Sequence, residues 1–252
     1  MADTQSTKSH PQSQTVEPAQ PRFLRVETNL HLVLMLSLTF TTGMVDAIGY
    51  LGLDKVFTAN MTGNVVILGM GLVGGREVAD GSGLPVLGPT IALFAFMIGA
   101  VLAGRINRSS AKGWSGTTTA MFLTTGIGVT LLGALAIPFS PVAGTVWGFV
   151  VTGVLALLMG VQAATARRLG VADVTTVVVT STITGLASDS RLAGGDGNKW
   201  PRRLLAVVAI LVGAALGALL VKAGVGLALL VAGLVVLVLI CAGHALVKRS
   251  QA

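Results

Sequence analysis

Six apolar runs, each long enough to cross a bilayer, constrain this chain more than any other feature of its sequence. A helix needs ~20 apolar residues to span the ~30 Å hydrocarbon core of a membrane. The runs therefore predict an all-α polytopic membrane protein with the lipid bilayer as its surrounding partner. They cover about residues 30–53, 84–104, 117–137, 142–166, 203–222 and 224–247.

The composition excludes the main alternatives to a membrane protein. Only 11% of the residues are charged and 53% are hydrophobic, whereas about 25% of a soluble domain is charged. The 33 glycines have no three-residue period and there is one cysteine, which excludes collagen-like chains and disulfide scaffolds. The net charge of +7 does not predict nucleic-acid binding, because the basic residues form short clusters between apolar runs with little aromatic interleaving.

Two further segments, residues 57–75 and 173–188, are short and polar for lipid-exposed spans. The positive-inside rule arbitrates between two topologies. If all eight segments cross and the N-terminus is cytoplasmic, seven of the 17 Lys and Arg residues lie outside. If the two polar segments dip in and return, only Lys55, Arg76 and Lys222 do. The sequence thus predicts six transmembrane helices plus two re-entrant half-helices, with eight spans as the alternative.

The chain divides into a tail and a single membrane domain. Residues 1–28 are polar and predicted to be a disordered cytoplasmic tail, and residues 29–252 form the membrane domain. Within it, about 30–137 and about 142–247 look like two repeats, since Gly43–Ala47 aligns with Gly160–Ala164 at an offset of 117 residues. Three crossings per half would make the repeats inverted, as in many secondary transporters. The alternative is chance similarity between two Gly-, Val- and Thr-rich stretches.

Asp46 is the only acidic or basic residue between the ends of any of the six runs. A charged side chain at mid-bilayer costs ~3 kcal/mol, so Asp46 is expected to face the bundle interior or a wet cavity. Two interpretations stay open. Asp46 is either a carboxylate that couples a proton or cation to transport, or a structural residue that bonds a neighbouring helix.

A second polar group follows Asp46 in the first re-entrant segment. The side chains around Gly63 can cap a half-helix, whose N-terminus suits an anion or a carbonyl group. Hydroxyl and amide groups of the second half are expected to face them, although threonines also bond helical backbone and help helices pack. The predicted site residues are Asp46, Asn60, Thr62, Gly63, Asn64, Gln162, Thr180, Thr182 and Thr184, with Thr175 and Thr176 as further hydroxyls.

Other motifs carry no chemistry in this context. Gly69 to Gly74 matches G-x-G-x-x-G, but no acidic residue follows at the distance that a dinucleotide site needs. The three histidines and Cys241 lack the spacing of metal ligands. We therefore expect no metal, no cofactor and no enzymatic activity. The G-x-x-x-G pairs Gly144/Gly148 and Gly213/Gly217 predict close helix packing.

The run FTTGMVDAIGYLGLDKVFTANMTGN, from Phe40 to Asn64, resembles the YoaK-like bacterial membrane proteins, a domain-of-unknown-function family (number 1275). The resemblance covers about residues 30–247 and implies a bacterial cytoplasmic-membrane protein without an established role, substrate or catalytic residues. The second half departs from the family pattern, which implies a reduced version of any site shared between the halves. There, Ala163 replaces Asn, Thr180-Ser181-Thr182 replaces Thr-Gly-Thr, and Gly185 replaces an acidic residue.

Together these features predict a multi-pass protein of the cytoplasmic membrane with both termini cytoplasmic. The favoured function is transport of a small solute or ion through a midplane polar site. The alternative is a non-transporting structural, assembly or regulatory protein. The sequence leaves the substrate, the coupling ion and a homo-oligomeric state open.

Overall fold

A computed structural model describes residues 22–73, 84–109, 114–169 and 179–251. These residues form an all-helical bundle without strands, which confirms the predicted fold class. The eight helices are α1 (Arg22–Gly52), α2 (Met61–Leu72), α3 (Leu87–Ile106), α4 (Gly116–Ala136), α5 (Val146–Leu169), α6 (Val179–Ser188), α7 (Trp200–Val221) and α8 (Val225–Gln251).

Six of these helices are long and apolar enough to cross a membrane, namely α1, α3, α4, α5, α7 and α8. Helices α2 and α6 have 12 and 10 residues, so they extend only about 18 Å and about 15 Å. As far as the structure describes them, neither reaches across a ~30 Å hydrocarbon core. The six predicted spans are thus confirmed, and the two polar segments contain short helices.

The start of the first helix differs from the prediction. Helix α1 begins at Arg22, so residues 22–28, assigned to the tail, are helical. Their sequence, RFLRVET, contains good helix formers, and it continues a helix that the apolar run has already nucleated. Residues 1–21 lie outside the described part of the chain, as do residues 170–178 before α6, with Thr175 and Thr176.

Helix α7 turns small residues inward and large apolar residues outward. In α7 the buried positions include Ala206, Gly213 and Gly217, whereas Leu211 and Leu219 are 65% and 59% exposed. Such a surface is unfavourable in water and favourable against lipid. Small residues at helix contacts are typical of membrane bundles, where close backbone packing replaces hydrophobic burial.

Glycines mark the two closest helix crossings. Gly43 of α1 lies against the Ile210 carbonyl of α7, and Gly160 of α5 lies against the Phe96 carbonyl of α3. At both sites a Cβ atom would collide with backbone. Gly43 and Gly160 are the residues that the predicted repeat aligns, so the aligned glycine of each half lies on a helix of the other half.

The predicted G-x-x-x-G contacts hold for one pair only. Gly213 and Gly217 both lie on the backbone of α1, at Phe40 and Met44. The prediction for Gly144/Gly148 is wrong, because Gly144 lies in the turn before α5 with a φ of 75°. It therefore shares no helix face with Gly148.

The most extensive helix pairs join the two halves, and their pattern is unchanged when the halves are exchanged. The most extensive pairs are α1 with α7, α3 with α5, and α4 with α8. Exchanging each helix of the first half for its counterpart, α1 for α5 through α4 for α8, reproduces these pairs. In addition, α1 runs opposite to α5, since Met35 shares a buried cluster with Ala166 while Ile48 shares another with Leu155. This is the packing expected of two inverted repeats.

Helix directions distinguish six crossings from eight. Helices α4 and α8 pack antiparallel, because Gly126 lies against Leu237 and Gly133 lies against Leu230. Eight alternating crossings would give both helices the same direction. Six alternating crossings of the long helices give α4 and α8 opposite directions, as observed.

Thiol labelling tests this topology. In a Cys241→Ser background, single cysteines at Ser110, Ser140 and Asn198 are treated with a membrane-impermeant thiol reagent. With six crossings and a cytoplasmic N-terminus, we expect Ser140→Cys to react on intact cells, and the other two only after permeabilisation. Eight crossings would reverse the results for positions 110 and 140, so labelling of position 110 on intact cells would contradict the topology.

Candidate functional site

After α1 ends at Gly52, residues 53–60 fold back along its last two turns; we call this segment the return loop. The reversal uses Lys55, whose φ of 48° lies in the left-handed region. Gly49 allows the close approach, because a Cβ there would lie 2.6 Å from the Val56 carbonyl oxygen. The loop therefore brings the start of α2 down to the level of Asp46, six residues or about 9 Å inside the end of α1.

The Asp46 carboxylate anchors the return loop. Its Oδ1 atom accepts hydrogen bonds from the backbone N–H groups of Thr58 (2.9 Å) and Ala59 (2.7 Å). The side chain is 9% exposed. Of the two interpretations of Asp46, the structural one thus has a defined partner, but that partner is the backbone of the return loop rather than a neighbouring long helix.

Two asparagines complete the turn into α2. Asn64 is fully buried and bonds to both polar groups of the Phe57 backbone. The Asn64 Oδ1 atom accepts from the Phe57 N–H at 2.9 Å, and the Asn64 Nδ2 atom donates to the Phe57 carbonyl at 2.5 Å. Asn60 is the N-cap of α2, and its side chain accepts a hydrogen bond from the Gly63 N–H at 3.3 Å. Asn60 therefore caps α2, as its position before the helix predicts, while Asn64 holds the loop.

An aromatic pair packs beside this turn. The rings of Tyr50 and Phe57 are stacked, with centroids 5.0 Å apart and planes inclined by 24°. The far side of Phe57 lies on Gly63, where a Cβ would come within 2.5 Å of the ring. Glycine at position 63 is thus required by the aromatic ring that covers it.

Helix α2 leads back to the end of the bundle from which the return loop starts. A Cβ on Gly71, near its C-terminus, would lie 2.9 Å from the Val86 side chain, just before α3. At the first turn of α3, a Cβ on Gly88 would lie 2.8 Å from Oδ2 of Asp54 in the return loop. Burial raises the pKa of the Asp54 carboxyl above its usual value. The start of the return loop and the connection from α2 to α3 therefore both lie near Asp54.

A cavity of about 560 Å³ opens between α1, the return loop, α2, α6 and α7. It reaches Thr42 and Ile210, which stand near the middle of α1 and α7. The cavity thus extends from the end of the bundle to its mid-level. Its lining consists of Thr42, Asp46, Tyr50, Phe57, Ala59, Asn60, Thr62, Gly63, Val66, Ile67, Val179, Thr180 and Ile210.

Of the nine predicted site residues, five line this cavity: Asp46, Asn60, Thr62, Gly63 and Thr180. Asn64 lies behind the lining, where it holds Phe57. Thr182 is buried and Thr184 is exposed elsewhere on α6. The structure therefore brings the first-half residues together with one of the second-half threonines.

Gln162 lies one layer behind the cavity. Its Nε2 donates to the Thr42 hydroxyl at 3.2 Å, and that hydroxyl donates to the Leu38 carbonyl at 2.8 Å. The side chain is 1% exposed, and its Oε1 atom is buried without a hydrogen-bond partner among the described residues. Gln162 thus connects α5 to the Thr42 wall of the cavity without lining it.

Arg203 is a buried polar residue that the sequence analysis missed. It lies in the first turn of α7 and donates to the Gly185 carbonyl of α6 and to Oδ2 of Asp189, the latter at 2.7 Å. The hydrogen bond from Arg203 holds the pKa of Asp189 below its usual value. The sequence feature that could have indicated this role is the position of Arg203 at the start of an apolar run.

Among the described residues, no group of His, Cys, Asp or Glu is arranged to hold a metal ion.

Replacing Asp46 tests its role as the anchor of the return loop. Asp46→Ala leaves two buried N–H groups without an acceptor, which costs about 2–4 kcal/mol in the free energy of unfolding. Asp46→Asn keeps an oxygen in the same position, so we expect a loss of about 1 kcal/mol or less. Thermal unfolding in detergent compares the two variants. Equal unfolding temperatures for Ala and Asn would contradict the anchoring role.

Comparison with known proteins shows which family the chain matches. The sequence model of the family described as "Protein of unknown function (DUF1275)" matches residues 34–242. That segment includes α2 to α7 and most of α1 and α8, and it contains every residue that lines the cavity.

A curated relative supports the membrane assignment. The UPF0700 transmembrane protein YoaK of Bacillus subtilis (strain 168) is 30% identical over 155 residues, which are 60% of this chain and 64% of the relative. The match therefore spans less than two thirds of that protein. No solved structure matches the chain. Together with the six apolar helices, the relative identifies a multi-pass integral membrane protein in contact with the lipid bilayer.

Proposed function

The chain belongs to the DUF1275 family of proteins of unknown function, and we propose that it is a permease for a small polar solute or ion. The observation that supports this function is the cavity, which brings Asp46, Asn60 and Thr62 of one half together with Thr180 of the other. A polar cavity at mid-level of a membrane bundle is the usual location of a transport site.

The proposal includes the placement of α2 and α6 as re-entrant half-helices in the bacterial cytoplasmic membrane, with both termini cytoplasmic. The start of α2 at the level of Asp46 supports this placement. Backbone that is not helical is tolerated at membrane depth only where protein or a wet cavity satisfies its polar groups. The hydrogen bonds that Asp46 and Asn64 make to the backbone of the return loop meet that requirement.

The inverted packing supplies a means of alternating access. In transporters with inverted repeats, one half rocks against the other around a central site. Here the cavity lies between α1 and α2 of the first half and α6 and α7 of the second. A structural or regulatory subunit would need the small-residue helix contacts but not a polar cavity at mid-level. We propose no covalent chemistry, and hence no enzymatic role.

Uptake into proteoliposomes tests the proposal. Purified protein is reconstituted into sealed vesicles and exposed to pools of labelled cations, anions and neutral solutes. We expect saturable uptake of at least one pool above that of protein-free vesicles. Absence of uptake from every pool, with the protein folded in the vesicles, would contradict transport.

A further inference from the structure

We propose that the cavity binds a small organic cation, with its charged group near Asp46 and the ring of Tyr50 and its apolar part against Val66, Ile67 and Ile210. This inference names a substrate class for the proposed transport function and rests on it. Three features of the cavity support it: the charge of its lining, its aromatic rings and its apolar residues.

The charge of the lining favours a cation. Among the described residues that line the cavity, Asp46 is the one acid and none is Lys or Arg. The N-terminus of α2 opposes it with about half a positive charge. One carboxylate outweighs that half charge, so the full charge that the lining can carry is negative. An anionic solute would meet a carboxylate that no Lys or Arg among the described lining residues neutralises.

The aromatic wall favours an organic rather than an inorganic cation. Tyr50 and Phe57 both line the cavity and stack on each other. Because the other side of Phe57 is covered by Gly63, Tyr50, which is 39% exposed, is the ring with more accessible surface. Aromatic faces attract ammonium groups, quaternary ones included. A hydrated metal ion would gain little from such a wall.

The remaining lining accommodates an apolar body. Val66, Ile67 and Ile210 also line the cavity. A volume of about 560 Å³ falls in the range of pockets for small organic ligands, which are lined mainly by apolar residues with a few placed polar groups. The oxygens of Thr42, Asn60, Thr62 and Thr180 can accept N–H hydrogen bonds from an amine.

Binding to the full-length protein in lipid nanodiscs tests the inference by calorimetry. The probes share a tert-butyl-like shape: tetramethylammonium is a cation, tert-butanol is neutral and pivalate is an anion. We expect saturable binding of tetramethylammonium, with the other two at least about tenfold weaker. Stronger binding of tert-butanol or pivalate, or no binding of tetramethylammonium, would overturn the inference.

Variants locate the site. Asp46→Asn keeps the loop bonds but loses the charge, and we expect about tenfold or greater weakening of tetramethylammonium binding. Tyr50→Leu should weaken it about tenfold, while Tyr50→Phe, which keeps the ring, stays within about threefold of the parent protein. The matched controls are Asp54→Asn, which removes one acid outside the cavity, and Leu51→Ala, which alters an exposed neighbour of Tyr50; both should bind normally.

The outcomes separate this inference from the transport proposal. If Asp54→Asn weakens binding as much as Asp46→Asn does, or if Tyr50→Leu binds like the parent, the assigned site is overturned. Tyr50 keeps the test decisive even if Asp46→Asn fails to fold. Tetramethylammonium binding without uptake of any solute into proteoliposomes would contradict transport and leave the cation site. Uptake of neutral or anionic solutes without cation binding would contradict the cation site and leave the transport proposal.

Discussion

We expect Gly43→Val and Gly160→Val to be the most destabilising single substitutions among those considered. Each adds a branched side chain where a Cβ atom already collides with the backbone of a partner helix, at Ile210 or Phe96. Backbone cannot move aside as a flexible side chain can, so the helices must separate. Overpacking costs typically about 1–3 kcal/mol and more where nothing can give, and we expect about 3 kcal/mol or more here.

The measurement is the thermal unfolding midpoint in detergent, together with the yield of monodisperse protein. Gly104→Val is the matched control, because Gly104 also lies in a long helix, but a Cβ there meets nothing within 4 Å. The two crossings are equivalent when the two halves are exchanged, so both variants should lose similar stability. A midpoint for either variant equal to that of Gly104→Val would contradict the crossing geometry.

The spans were predictable because the membrane imposes a length and an apolar composition that a sequence displays directly. The orientation of the halves was less direct. It depended on counting Lys and Arg under two topologies. The antiparallel packing of α4 on α8, with Gly126 against Leu237 and Gly133 against Leu230, supplies an independent observation. The helical segment 22–28 was not predicted, because its polar composition hides its favourable helix propensity.

The candidate site was predictable as a neighbourhood but not as an arrangement. Asp46 and Asn60 stand close because the chain reverses between them, and a polar, glycine-containing stretch after an apolar run indicates such a reversal. The direction of each side chain was not readable. Asn64 is one helical turn from Asn60, yet its side chain bonds to the Phe57 backbone. Without Asn64, the buried N–H and carbonyl groups of Phe57 would lack these hydrogen bonds, which costs free energy of folding.

Two features needed three-dimensional packing. Gln162 reaches Thr42 across 120 positions of sequence, and no local pattern indicates which hydroxyl it meets. Arg203 was read as a residue at the end of a span, whereas its guanidinium turns towards α6 and holds the Gly185 carbonyl. Residues at helix ends are the hardest to assign, since both a loop and a buried cap suit the same side chain.

The second large effect concerns the mid-level wall of the cavity. Ile210→Trp places an indole where Ile210 lines the cavity between α7 and α1. A solute that must share this space incurs an overpacking cost of about 1–3 kcal/mol, and about 1.4 kcal/mol corresponds to a factor of ten in affinity. We therefore expect solute uptake to fall about tenfold or more. Folding should be nearly normal, because the added volume extends into open space.

Leu211→Trp is the control, since it adds the same side chain one position along α7 on the lipid-facing surface, where Leu211 is 65% exposed. The direct measurement is the initial rate of solute uptake per folded molecule for these two variants and the parent, in proteoliposomes of equal protein content. The cavity account predicts a rate near the parent value for Leu211→Trp and a rate reduced about tenfold for Ile210→Trp. Equal rates for the two variants, with both folded, would show that solute does not pass through this cavity.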